Sequence, residues 1–123
     1  MTTPMQRTLS VLKKDNLKYW RVEVWNSFMK RRIDLLNIID LLVFNTGSIL
    51  GIQICGSDLA SHKKKIMETE QGNTITWLKT KAYLQVWAWR KLKKKRGGKA
   101  TFWKPRIIDV TLAGNELFWE ERK

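Results

Sequence analysis

The stretch from Ile38 to Ile54, IIDLLVFNTGSILGIQI, holds two apolar runs, Ile38–Phe44 and Ile49–Ile54, separated by Asn45-Thr46-Gly47-Ser48. Turn-forming residues between β-branched runs predict a hairpin, and runs this uniformly apolar predict strands covered on both faces. Asp40 interrupts the first run and Gln53 the second. A carboxylate inside an apolar strand is costly unless a cation or hydrogen bonds compensate it, and a buried amide needs partners. If the strands pair, both side chains approach one edge of the sheet. Asp40 is therefore the leading candidate for a functional residue.

Upstream, Thr3-Pro4 forms a helix start, and Met5, Leu9 and Leu12 follow at helical spacing, so a helix is predicted over Pro4–Lys14. Residues Tyr19–Trp25 alternate and are rich in aromatic and β-branched types, which predicts a strand with Trp20, Val22 and Val24 on one face and Arg21 and Glu23 on the other. Asn26–Arg32 reads as a basic connection. Downstream, Leu59, Ile66 and Met67 recur at helical spacing behind Ser57, with Gly72 as the expected stop and a shorter helical piece over Thr74–Thr80. Tyr83–Leu92 alternates again, Gly97-Gly98 marks a hairpin turn, and Thr101–Thr111 reads as a last strand. The order of elements predicts a single α/β domain with a mixed sheet over residues 1–112, with 113–123 as a C-terminal tail that either docks as a short helix or stays partly disordered.

Lys and Arg number 24 against 11 Asp and Glu, a formal charge of +13. Self-repulsion of that size points to a polyanionic partner, nucleic acid above all. Cys55 is the only cysteine, which excludes an intramolecular disulfide and a cluster of cysteines around zinc, fits a reducing compartment, and reads as a small buried residue rather than a nucleophile. The longest apolar run is far shorter than the roughly 20 residues of a membrane span, and the first ten residues lack the apolar core of an export signal, so a cytoplasmic protein without a membrane partner is expected.

Glu23 can bring a carboxylate from the preceding strand to the place where Asp40 and Gln53 meet. Carboxylates, an amide oxygen and a backbone carbonyl are the hard oxygen donors that Mg²⁺ or Mn²⁺ takes alongside waters and phosphate. Asp34, beside Arg31 and Arg32, reads more simply as a surface ion-pair partner. The stretch Arg90–Lys99 has seven basic residues in ten, and with Gly97-Gly98 at its tip it predicts a projecting finger whose Arg90, Lys93, Lys94, Lys95, Arg96 and Lys99 contact phosphates. Trp87, Trp89 and Trp103 flank it and could stack on unpaired bases, although core positions are the commoner fate of tryptophan.

The segment Arg31–Lys65, RRIDLLNIIDLLVFNTGSILGIQICGSDLASHKKK, resembles phage-encoded, Holliday-junction-resolvase-like members of the PD-(D/E)XK nuclease superfamily. The shared features are an Arg-rich entry, Asp-Leu, a further Ile-Asp-Leu strand, a turn, a strand with Ile-Gln, and a helix with basic residues. Val22–Asn26 and Gln6-Arg7-Thr8 look like that group too, and the resemblance extends over residues 3–92. It implies an αβββαβ restriction-endonuclease-like core, here with an extra C-terminal strand, and a homodimeric DNA endonuclease of a bacterial or phage-infected cell. It further implies Asp40 as principal ligand of Mg²⁺ or Mn²⁺, Gln53 as a neutral ligand and Glu23 or Asp34 as a supplementary carboxylate. Lys63, after His62, becomes a candidate catalytic lysine, and Arg31, Arg32, Lys64 and Lys65 become phosphate contacts. The chain departs from the superfamily where an acid, one residue and a lysine usually stand, for it reads Gln53-Ile54-Cys55. A DNA-binding protein of the same fold without catalysis, or a basic RNA-binding protein, are the alternatives.

Overall fold

The computed structural model describes residues 2–123, the side chain of Arg32 excepted; the expectation that this side chain contacts phosphate falls outside the described residues. The predicted first helix is α1 (Pro4–Lys14), closed at its N-terminus by a reciprocal pair of hydrogen bonds between Thr3 and Gln6. The central hairpin is β4 (Leu41–Asn45) and β5 (Ser48–Cys55), turned at Gly47 with φ of 75°, a backbone conformation that suits glycine.

The strand expected over Tyr19–Trp25 is divided. Its first part, β1 (Lys18–Arg21), pairs with β4, whereas β2 (Val24–Asn26) turns away and pairs with β3 (Arg31–Ile33) as a separate two-stranded ribbon. The basic connection is thus the turn and return strand of a hairpin. After β5 come α2 (Leu59–Lys64), a π-helical turn over Lys65–Thr69, and α3 (Gln71–Lys79). Gly72 does not stop this run, because the break falls at Glu70, whose N–H bonds the Lys65 carbonyl five residues back at 2.6 Å. The Thr74 hydroxyl donates to the Ile66 carbonyl at 2.8 Å, and Thr74 is buried in that bond.

Strand β6 (Tyr83–Lys93) lies parallel to β5, and β7 (Thr101–Ala113) returns antiparallel to it. The parallel pair requires the crossover that α2 and α3 supply. Residues 113–123 are not a tail. Gly114 (φ 63°) turns the chain, and β8 (Glu116–Glu121) pairs with β7, held by Arg106–Glu121 and Arg122–Asp109 ion pairs at 2.6 Å. The boundary expected after residue 112 falls inside β7, so residues 2–123 make a single small α/β domain. Its mixed sheet has the order β1-β4-β5-β6-β7-β8.

Both faces of the sheet are covered. Alternation along β6 sends Leu84, Val86 and Ala88 toward α2 and α3, where Ile38, Ile39, Ile66 and Ile108 complete one core layer. It sends Trp87 and Trp89 toward α1, where Leu12, Leu41, Val43 and Ile52 complete the other. Each fully buried aliphatic side chain contributes about 1.5–3 kcal/mol. Gly51 of β5 marks the tightest approach, since a Cβ there would stand 2.9 Å from Ile39 Cδ1 and 3.1 Å from Trp77 Cζ2. No described helix is long and apolar enough to cross a membrane.

Candidate metal centre and nucleic-acid interface

Asp40 lies one residue before β4, at the point where four parts of the chain meet. Its N–H bonds the Ile52 carbonyl at 2.9 Å, and its carbonyl accepts from the N–H groups of Val22 and Glu23 at 3.1 and 3.2 Å. Its side chain turns inward, where Oδ2 accepts from Gln53 Nε2 and from the Ile54 N–H, both at 2.8 Å. Extending the β4–β5 register, Leu41 opposite Ile52, sets Asp40 opposite Gln53, the pairing expected from the sequence.

Asp34 arrives by a different device. Leu36 and Asn37 both adopt left-handed backbone, with φ of 53° and 62°, and the chain reverses so tightly that Leu35 and Ile39 exchange backbone hydrogen bonds of 2.9 and 3.0 Å. In that antiparallel register Asp34 stands opposite Asp40. A leucine at positive φ costs about 1–2 kcal/mol, and like charges placed directly across a strand pair repel. The strained backbone and the opposed carboxylates fall at the same place.

Glu23, tied by its backbone to Asp40, completes the group, and carboxylate oxygens of Glu23, Asp34 and Asp40 all lie within 4.8 Å of one another. Burial pushes the Asp40 carboxyl up to about 8. The Ile54 N–H opposes that shift, while the negative charge of Asp34, a hydrogen bond shared with it, and the charge of Glu23 reinforce it. A cation bound among these oxygens would remove the penalty by stabilising the ionised form. Three converging carboxylates are a donor set that fits Mg²⁺ or Mn²⁺. Lys65 Nζ stands 3.5 Å from Asp34 Oδ2.

The structure redistributes some expected roles. Gln53 presents its amide nitrogen to Asp40, and its oxygen faces away toward His62 Nδ1 at 3.3 Å, so it orients Asp40 instead of offering an oxygen to the carboxylate group. Lys63 points away from the site, with Nζ 5.5 Å from the centre of the Trp119 ring, because residues two apart on a helix face different ways. Lys65, at the start of the π-helical turn, is the lysine the fold delivers. Asp34, read from sequence as a surface ion-pair partner, does pair with Lys65, but it is partly buried beside Asp40.

Glu23 and Asp40 line a cleft of about 480 Å³, walled by the first turn of α1 and by Arg21. Across Pro4 lies a second cleft of about 580 Å³, edged by Arg7, Arg90, Lys91, Trp103 and Arg106. The finger is formed as expected: Lys94 N–H bonds the Ala100 carbonyl at 2.9 Å, Gly97 takes φ of 76°, and Lys93, Lys94, Lys95, Arg96 and Lys99 are exposed. Arg31 and Lys64 are also exposed, on β3 and at the end of α2. Trp87 and Trp89 are not free to stack on bases. Both are buried, their indole N–H groups bonded to Gln85 Oε1 and Thr8 Oγ1 at 2.9 Å. Trp103 is exposed, but the Arg7 guanidinium lies 3.5 Å from its ring centre.

Sequence reasoning passed over the ribbon β2–β3. Its two ends carry Glu23 and Asp34, and its turn presents Phe28, 94% exposed, with Trp25, Met29 and Arg31 exposed alongside. The only sequence signal was the density of aromatic and basic residues between Trp25 and Arg32. No protein-family model, curated protein or solved structure matches the chain.

Proposed function

We propose that this chain is a divalent-metal-dependent endonuclease with a PD-(D/E)XK-type core, hydrolysing phosphodiester bonds in DNA, with branched DNA as its preferred substrate. The observation that carries the reading is the opposition of Asp34 and Asp40, with Glu23 beside them, in a chain of charge +13. A fold gains nothing in stability from gathering carboxylates at a strained turn. A cation-binding site that accepts a phosphodiester accounts for both the cluster and the basic surroundings. The element order helix, strands, helices, strand through β6 supports this reading, in which the ribbon β2–β3 is an insertion and β7 and β8 are additions.

Glu23, Asp34 and Asp40 would hold Mg²⁺ or Mn²⁺. Such an ion supplies Lewis-acid polarisation of a phosphoryl oxygen and stabilises developing negative charge. Gln53 and the Ile54 N–H fix Asp40 in one rotamer, so the donor oxygens are preorganised. Lys65 brings a cationic donor to the position next to Asp34, the work that a lysine at Cys55 would do in the wider superfamily. Arg21 on the cleft wall, Arg31 on the ribbon, Lys64, and the finger from Arg90 to Lys99 contact the polyphosphate chain without reading its sequence. Symmetric cleavage of a junction requires two such sites and hence a homodimer.

A second reading keeps the fold and the DNA but not the chemistry. It is favoured by the orientation of Gln53, whose oxygen is turned toward His62, and by Cys55 in place of lysine. Labelled four-way junction, splayed, single-stranded and linear duplex DNA, with an RNA duplex alongside, separate the readings when incubated with Mg²⁺ or Mn²⁺. Metal-dependent cutting of DNA is expected, strongest on the junction. Tight DNA binding with no cutting under either metal would favour the inert module, and preference for RNA would reject both.

A further inference from the structure

On the far side of Gln53 lies a second group of metal-ligating side chains, of different chemistry. Cys55 ends β5, Asp58 precedes α2, and His62 lies one turn into that helix; ligand atoms of the three fall within 4.8 Å of one another. Asp58 occupies the N-cap position, where an aspartate ordinarily accepts from the helix's own first N–H groups, yet its side chain makes no capping bond. Its Oδ2 is instead 3.0 Å from His62 Nε2. His62 Nδ1 is 3.3 Å from Gln53 Oε1, so both ring nitrogens are aimed at acceptor oxygens, and an ion bound at Nε2 would take the place of the hydrogen directed at Asp58 while Nδ1–H donates to Gln53. An imidazole with one nitrogen turned to a carbonyl-type oxygen and the other free to take an ion is how a metal-ligating histidine is held.

We propose that Cys55, Asp58 and His62 bind a transition-metal ion of the zinc class. The S, O and N donors are those of Zn²⁺ or Co²⁺, whereas Mg²⁺ takes oxygen ligands alone, so this site and the carboxylate group select different ions. Three protein ligands leave one position open, and the exposed Asp58 gives the ion a way in. Gln53 joins the two centres, its oxygen held by His62 and its amide nitrogen holding Asp40. An ion bound to Cys55 Sγ displaces the thiol proton. The inference goes beyond the nuclease reading and stands without it.

Titration of the full chain with Co²⁺, followed by visible and near-ultraviolet absorption, tests it. One equivalent is expected to bind with a thiolate-to-cobalt charge-transfer band that Zn²⁺ abolishes and excess Mg²⁺ does not, any Co²⁺ taken by the carboxylate group adding no such band. The band should vanish in Cys55→Ser and weaken at least tenfold in apparent affinity in His62→Gln, while Asp34→Asn, which alters only the carboxylate group, should keep it. Should Cys55→Ser not fold, His62→Gln and Asp58→Asn decide the matter. Co²⁺ bound without the band, a band indifferent to His62→Gln, or no binding at all would overturn the proposal.

Discussion

Gln53 Nε2 donates to Asp40 Oδ2 across 2.8 Å, and the same oxygen accepts from the Ile54 N–H, so a buried carboxylate is held by donors from β5 and faced by carboxylates from two other segments. The donors fix its direction. Burial, reinforced by the surrounding negative charge, makes it a poor anion until a cation arrives.

That imbalance sets a pH dependence. Asp40 is raised from 3.8 to about 8, so the folded protein holds a proton that the unfolded chain gives up. The stabilisation is complete below about pH 4 and is lost as pH rises toward 8. Thermal melts of the metal-free protein should therefore show a midpoint that falls over this range, with Mn²⁺ restoring it near pH 8. Asp40→Asn should remove the slope and stabilise the metal-free protein by about 1–3 kcal/mol at pH 8–9. A wild-type midpoint that does not depend on pH relative to Asp40→Asn would contradict the proposed ionisation.

The two lysines of the α2 region should behave differently. Lys65→Ala removes the ammonium beside Asp34 and is expected to lower cleavage about 100- to 1000-fold, the size of a missing transition-state donor, with little change in DNA affinity. Lys63→Ala removes the ammonium near Trp119 and should leave the rate within about threefold. Single-turnover rates on one substrate check both.

Neutralising Lys93, Lys94, Lys95 and Arg96 should weaken binding to every DNA by a similar factor. The slope of log affinity against log salt should become shallower by about 0.9 for each phosphate that the finger no longer neutralises. Fluorescence anisotropy at several salt concentrations reads this directly, and an unchanged slope would remove the finger from the interface.

Gly51→Ala tests the packing that sets the site. Its Cβ would press on Ile39 Cδ1 and Trp77 Cζ2, so a loss of about 1–3 kcal/mol in denaturant unfolding is expected. Ile39 immediately precedes Asp40, so weaker Mn²⁺ binding should accompany the loss.

The parts of this fold that sequence revealed are those with strong local chemistry. Thr3-Pro4 announces α1, Asn45–Ser48 announces the hairpin, and the extended register that brings Asp40 opposite Gln53 follows from it. The approach of Asp34 was implied by the family resemblance but not legible in the residues themselves, because the reversal uses Leu36 at φ 53°, and a leucine carries no signature for that conformation. The choice of Lys65 over Lys63 rests on the helix face and the π-helical turn, which periodicity does not encode. The ribbon β2–β3 lacked a glycine at its turn, where Lys30 takes φ of 54° instead. The last strand was obscured by the short, acidic stretch that forms it, although Trp119 and Leu117 alternate with exposed Glu116, Phe118 and Glu120.

The central claim is that opposed Asp34 and Asp40 form a divalent-metal hydrolytic site, and its most direct test compares junction cleavage in Mn²⁺ by wild type, Asp34→Asn and Asp40→Asn, with circular dichroism and DNA binding measured on each. Metal-dependent cleavage by the wild type is expected, falling at least 100-fold in each variant while fold and affinity persist. Equal cleavage by all three proteins, or none by any despite bound Mn²⁺, would contradict it.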